Sequence, residues 1–132
     1  MKIILDTNVI LSAFLTHGLS SRVLDISIDK HELYISQWIL DELFNALTNK
    51  LTITPEELLR VKYFTKNIFI QVKPEGEKPT ICRDTDDNHI LWLANYIEAD
   101  LIISGDKDLL DLIKYKNILI ISPRDFMERY KE

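Results

Sequence analysis

Four acidic residues stand where separate segments of the chain could bring their carboxylates together. They are Asp6, Glu42, Asp87 and Asp106. Asp6 follows the apolar run 3–5 and Asp106 follows the apolar run 101–103, whereas the other two fall in segments with helical apolar spacing. Carboxylates held close together raise one another's pKa values or bind cations, and an all-oxygen site suits Mg²⁺ or Mn²⁺. The pattern therefore predicts a divalent-metal centre.

Such a centre can hydrolyse a phosphodiester without a nucleophile from the protein. One ion lowers the pKa of a bound water, and the same ion or a second, about 3.5–4 Å away, stabilises the leaving oxygen. Each acid also has a purely structural interpretation. Asp6 and Asp106 could be helix N-caps, Glu42 a solvated helix residue, and Asp87 a first-turn residue that complements the helix dipole. Only the four together favour metal-dependent chemistry.

The elements that would position these acids are short apolar strands alternating with helices. The predicted strands are Lys2–Leu5, Glu32–Ile35, 69–72, Leu101–Ile103 and Ile118–Ile121. The helices between them are predicted from Val9, from the N-caps Ser20 and Ser36, after the capping box 54–57, over 86–98 and 106–113, and after Ser122. This alternation predicts an α/β fold, a three-layer α/β/α sandwich with a central parallel sheet of four to five strands.

Composition narrows the class of protein. The 132 residues, 46% hydrophobic and 28% charged, predict one globular domain over 1–132. The single cysteine, Cys82, suits a reducing compartment, and no run approaches the roughly 20 apolar residues of a membrane span. We therefore expect a soluble cytoplasmic protein without a membrane partner. The net charge of −5 argues against nucleic-acid binding unless cations neutralise the acids.

Three stretches together resemble the PIN-domain family of metal-dependent ribonucleases, in particular the VapC-like toxins of prokaryotic toxin–antitoxin pairs. They are ILDTNVILSA, the helix ILDELFNAL, and RDTDDNHILWLANYIEADLIISGDKDLL. DTN alone is a weak signal, but the ordered set is fairly specific and the resemblance covers almost the whole chain. It implies a PIN-like fold with the first strand in the centre of the sheet, between the second strand and 101–103.

The resemblance also implies a function and a site. It implies a Mg²⁺- or Mn²⁺-dependent endoribonuclease with an RNA substrate, a protein antitoxin as partner, and association into a homodimer. The catalytic and metal-binding residues would be Asp6, Glu42, Asp87 and Asp106, with support from Asn8, Ser104, Asp84 and Asp108. Asp84 and Asp86 are alternatives to Asp87 as the third acid of the family's site. Ser104 stands where the family commonly has threonine, and it keeps the hydroxyl oxygen.

Two other functions compete with this one. A non-catalytic PIN-like scaffold would bind RNA without cleaving it. A receiver domain would be phosphorylated on Asp6, but receivers place paired acids after their first strand and Asp6 has no acidic neighbour.

Several other side chains have ordinary structural interpretations. The histidines 17, 31 and 89 lack zinc-ligand spacing and are predicted at the surface. Lys73, Lys78 and Arg83 fit solvated loop charges better than an RNA-contact patch. Trp38 and Trp92 lie on amphipathic segments, where packing in the core or between subunits is favoured over base stacking.

Overall fold

The computed structural model describes residues 1–49 and 52–130. Within these ranges six strands form one sheet. They are β1 (Lys2–Leu5), β2 (Glu32–Ile35), β3 (Ile70–Gln71), β4 (Leu101–Ile103), β5 (Lys114–Tyr115) and β6 (Ile118–Ile121). The helices of the described chain are α1 (Thr7–Leu15), α2 (Leu19–Lys30), α3 (Gln37–Asn49), α4 (Pro55–Ile68), α5 (Asp87–Ile97), α6 (Lys107–Leu110) and α7 (Pro123–Tyr130).

The strands are ordered β3-β2-β1-β4-β6-β5 across the sheet. β1 pairs in parallel with β2 on one side and with β4 on the other, and β3 and β6 extend the parallel sheet outward. The predicted α/β class and the central position of β1 are confirmed. Because the parallel strands all run one way, their carboxyl ends meet at one edge of the sheet.

The core follows from the apolar character of β1 and its neighbours. Ile3 and Ile4 are both fully buried, and because successive side chains of a strand point to opposite faces, helices must cover both faces of the sheet. The backbone N–H of Asp6 donates to the carbonyl of Ile103 at 2.9 Å, so the β1–β4 ladder continues one residue past the strand. This bond fixes Asp6 beside the end of β4.

Most of the predicted helix starts agree with the structure. Thr54 and Glu57 form the capping box of α4, and Ser36 accepts a hydrogen bond from the backbone N–H of Ile39. The prediction that Ser20 caps α2 is wrong, because that helix begins at Leu19 with Gly18 as its N-cap and no side-chain bond. The apolar spacing after Ser36 predicts a helix that continues to Lys50, a residue outside the described ranges.

The region after β4 differs from the prediction. A helix was expected over 106–113, but α6 ends at Leu110 and the chain forms β5, a sixth strand that pairs antiparallel with β6. Ile113 and Lys116 have positive φ angles of 63° and 55°. This left-handed conformation is uncommon in residues other than glycine and asparagine. The two residues flank β5, so no glycine marks the turn in the sequence.

Among the described residues, no single helix is long and apolar enough to cross a membrane. Of the described helices, only α1 and α2 taken together reach the length and apolar content of a membrane span, and their axes are bent by 105° relative to each other.

Candidate functional site

An acidic cavity of about 380 Å³ opens at the carboxyl end of the parallel strands. Six carboxylates line it, those of Asp6, Glu42, Asp84, Asp86, Asp87 and Asp106. Asn8 and Trp38 complete part of its wall. The structure thus brings together the four acids singled out in the sequence, from positions far apart in the chain. Their catalytic and metal-binding roles remain predictions.

Asp6 is held by two short hydrogen bonds. Its Oδ1 accepts from the backbone N–H of Thr7 at 2.7 Å, which makes it the N-cap of α1, and its Oδ2 accepts from the Ser104 hydroxyl at 2.6 Å. Burial raises the pKa of Asp6, the two hydrogen bonds oppose this rise, and the Asp106 and Asp84 charges add to it. Asp6 is therefore both a helix cap and a member of the acidic cluster.

Glu42 reaches the cavity from α3. Its Oε1 accepts a hydrogen bond of 2.6 Å from the hydroxyl of Thr7, the first residue of α1. Burial raises the pKa of Glu42, the bond from Thr7 opposes the rise, and the nearby Asp6 charge increases it. Thr7 thus links α1 to α3 and fixes the Glu42 carboxylate beside Asp6. This role of Thr7 is not visible in the sequence, because it depends on how the two helices dock.

Asp87, Asp106 and Asp108 form the tightest group of acids in the described chain. One carboxylate oxygen of each lies within 4.8 Å of the others. The Oδ2 atom of Asp87 is buried and has no hydrogen-bond partner. Burial raises the pKa of Asp87 to about 8, and the adjacent Asp106 side chain contributes to the shift. Because an orphaned buried oxygen is costly, this group fits a hard divalent cation.

Ser104 joins the two halves of the cluster. Its hydroxyl donates to Asp6 and accepts from the backbone N–H of Asp106 at 2.9 Å, and its side chain is fully buried. Asp106 in turn accepts from the backbone N–H of Asp108 at 3.3 Å and so caps α6. The Ser104 hydroxyl therefore sets the position of one acid from β1 and one from the end of β4.

The loop before α5 and the start of that helix carry the three acids that are alternatives for one place in the predicted site, and these acids are buried to different extents. Asp84 and Asp86 line the cavity but are exposed, whereas Asp87 is buried at the first position of α5. The side chain of Asn88 accepts from the backbone N–H of Cys82 at 2.9 Å and holds the loop against the helix. The predicted helper Asp108 forms an ion pair of 3.8 Å with the exposed side chain of Arg83.

Comparison with known proteins agrees with this architecture. A family model described as the PIN domain matches residues 2–108, which include all four predicted acids. No curated protein sequence matches the chain. Among solved structures, a chain in the crystal structure of VapBC2 from Rickettsia felis bound to a DNA fragment from their promoter superposes with a TM-score of 0.67. The superposition covers 92% of this chain and 98% of that chain at 14% sequence identity, so the likeness concerns the fold. Since the family model spans most of the sequence, this chain belongs to the PIN-domain family.

Proposed function

We propose that this protein is a Mg²⁺- or Mn²⁺-dependent endoribonuclease. The observation that carries the proposal is the convergence of carboxylates on one cavity, where a buried oxygen of Asp87 has no protein partner. Acids from several elements, gathered at the carboxyl end of a parallel sheet, suit a metal-assisted hydrolysis. Membership of the PIN-domain family supports the same reaction class.

Each acid has a distinct part in this proposal. Asp87 and Asp106 would hold the cation, with Asp108 and Asp84 close enough to assist. When bound there, such a cation would supply an activated water for the attack and charge stabilisation for the leaving oxygen of the phosphodiester. Asp6, oriented by Ser104, adds negative charge that draws the cation into the cavity.

Glu42 is placed to accept a proton in the same cavity. The Thr7 hydroxyl donates to Oε1 of Glu42, and Oε2 takes no part in that bond. Because burial raises its pKa, Glu42 is a stronger base than an exposed glutamate. We propose that it helps to orient and deprotonate the attacking water.

The proposal accounts for RNA binding by an acidic protein. The net charge of −5 would repel phosphate, and much of this charge is concentrated in the cavity. Divalent cations held by the clustered carboxylates would neutralise them and so allow a phosphate group to enter. Metal and substrate binding are therefore coupled.

Cleavage of labelled single-stranded RNA tests the proposal directly. Purified protein should cleave it with Mg²⁺ or Mn²⁺ and stop when EDTA is added, because the acids alone cannot activate water. If RNA binds with metal present but remains intact, the protein is a non-catalytic PIN-like scaffold and the enzymatic proposal is wrong. Cleavage that persists in EDTA would rule out the metal-dependent mechanism.

We also propose that the protein is the toxin of a toxin–antitoxin pair, with a protein antitoxin as partner. The shared fold with a chain of VapBC2 supports this pairing. A small reading frame beside the gene should encode a protein that binds this chain and suppresses its activity. A co-expressed neighbour that neither binds nor inhibits would contradict this part of the proposal.

We further propose a homodimer formed through α4. Leu59 and Tyr63 on this helix are 65% and 73% exposed and border an apolar surface cavity with Ile68. Covering such a patch favours association. Light scattering at micromolar concentration should give the mass of two chains, and Tyr63→Lys should give the mass of one. Tyr96→Lys, which alters an exposed tyrosine on α5, should leave the dimer intact. A monomeric wild type would contradict the proposal.

A further inference from the structure

A second cavity lies beside the acidic one and shares a wall with it. Its volume is about 480 Å³, within the usual range for pockets that hold small molecules. The residues that matter in its lining are Gln37, Trp38, Lys73, Pro74, His89 and Trp92. Trp38 borders both cavities. We call the second cavity the aromatic groove. A ligand in it would need to pass only the Trp38 side chain to reach the acidic cavity.

Three aromatic rings give the groove its character. Trp38 and His89 are stacked, with ring centroids 4.2 Å apart and planes 8° from parallel. Trp92 lies 6.4 Å from the His89 ring at an angle of 51°, and its Nε1 donates to the backbone carbonyl of Glu75 at 3.3 Å. The rings are therefore held in fixed positions, and Trp38 and Trp92 are only half-buried. The groove offers π surface to a planar ligand.

The charge of the groove differs from that of its neighbour. Lys73 lines it, and the Lys78 ammonium lies 3.4 Å from Nε2 of His89. Among the described residues, no carboxylate lines the groove, although Glu75 and Glu77 are exposed elsewhere in the same loop. Cations beside aromatic rings form the combination that binds single-stranded nucleic acid, in which lysines follow the backbone and aromatic rings stack the bases.

We propose that the aromatic groove binds the base of a nucleotide adjacent to the scissile phosphate of single-stranded RNA. The proposal rests on the ribonuclease function proposed above and names a subsite for its substrate. Trp92 stacks the base and Trp38, one face of which is covered by His89, forms the wall beside it, while Lys73 and Lys78 contact the phosphate on its far side. Because Trp38 separates the groove from the acids, the base in the groove and the phosphate over the acids belong to neighbouring positions of one strand.

Binding can be measured without cleavage, because both tryptophans of the chain line this groove. Trp92 borders this groove only, whereas Trp38 also borders the acidic cavity, so a ligand without a base is needed to separate the two sites. Titration with AMP should quench it, and titration with ribose 5-phosphate, which lacks a base, should not. Equal quenching by the two compounds, or none by either, would overturn the proposal even if the protein cleaves RNA. Failure to cleave RNA would instead count against the proposed function.

Kinetics on an oligoribonucleotide test the same subsite during cleavage. Trp92→Leu should raise KM about tenfold with little change in kcat, as expected for the loss of one base–aromatic stack. Trp92→Phe keeps the aromatic face and should retain most of the affinity. Tyr115→Leu removes an aromatic ring from β5, the edge strand farthest from β3 and the groove beside it. This variant should leave KM and kcat unchanged.

An abasic substitution identifies the nucleotide that occupies the groove. One abasic position next to the cleaved bond should slow wild-type cleavage about tenfold and have no further effect in Trp92→Leu. Additive effects of the two changes would show that this base does not contact Trp92. If Trp92→Leu weakens binding of the antitoxin but leaves RNA kinetics unchanged, the groove is a protein-binding surface and the proposal is wrong.

Discussion

Asp6→Asn is expected to abolish metal-dependent RNA cleavage and to leave the fold intact. Asparagine keeps the oxygen that caps α1 through the backbone N–H of Thr7, and it is as good a helix cap as aspartate, but its amide nitrogen cannot accept the hydrogen bond from the Ser104 hydroxyl. The substitution removes the negative charge that Asp6 contributes to the acidic cavity at the end of β1. We expect at least about a hundredfold loss in rate, the scale seen when one preorganised electrostatic contact is removed from an active site.

The matched control for this variant is Asp25→Asn, which makes the same change on the exposed surface of α2. Circular dichroism and the melting temperature should be nearly unchanged in both variants, and only Asp6→Asn should lose cleavage. If Asp6→Asn cleaves RNA at the wild-type rate, Asp6 acts as a helix cap alone and its catalytic assignment is wrong.

Mg²⁺ or Mn²⁺ is expected to raise the melting temperature of the wild type and to have no such effect on Asp87→Asn. The proposed metal site exists in the folded state, where Asp87 and Asp106 are close together, and a metal at about a hundred times its Kd should stabilise that state by about 2.7 kcal/mol. Asp87→Asn removes the negative charge at the carboxylate whose buried oxygen has no protein partner, and it replaces one oxygen with an amide nitrogen that cannot bind a cation. Differential scanning fluorimetry, with EDTA and with added metal, measures both shifts.

The size of this metal shift should depend on pH. Because the pKa of Asp87 is raised to about 8, the metal-free carboxyl keeps its proton at neutral pH and must lose it when the cation binds. The shift should therefore grow as pH rises towards 8 and shrink as the medium is made more acidic. Asp25→Asn should follow the wild type throughout. A metal shift of equal size in Asp87→Asn would place the cation elsewhere.

The centre of the fold was predictable because its signals are local. Residues 3–5 are apolar on both faces, which marks a strand buried between helices, and the carboxylate that follows it falls at the carboxyl edge of the sheet. The same reasoning locates Asp106 beyond β4. The register of β1 against β4 then brings the two acids together.

The links between helices were not predictable from such local patterns. The bond from Thr7 to Glu42 depends on the rotation of α3 against α1, and the stack of Trp38 on His89 depends on the approach of α3 to α5. Amphipathic spacing shows which face of a helix is apolar but does not show its partner. For this reason His89, predicted at the surface, is half-buried against Trp38.

The edge strand β5 was missed for a different reason. It has only two residues, Lys114 and Tyr115, too few to show a strand pattern. The positive φ angles at Ile113 and Lys116 lie where a glycine or asparagine would normally indicate a turn. The sequence therefore read as a continuation of α6. Pairing with β6 supplies the hydrogen bonds that stabilise this unusual backbone.

The central position of β1 determines when a growing chain can first become active. β1 is translated before the other strands, whereas its partner β4 and the acid that follows, Asp106, are translated long after Asp6 and Glu42, and Asp106 also follows Asp87. A nascent chain that ends before β4 cannot close the sheet, because that contact spans most of the sequence. If the protein is the ribonuclease proposed here, the ribosome that makes it is exposed to no cleavage until translation has passed β4. Truncated products ending before β4 would be equally harmless.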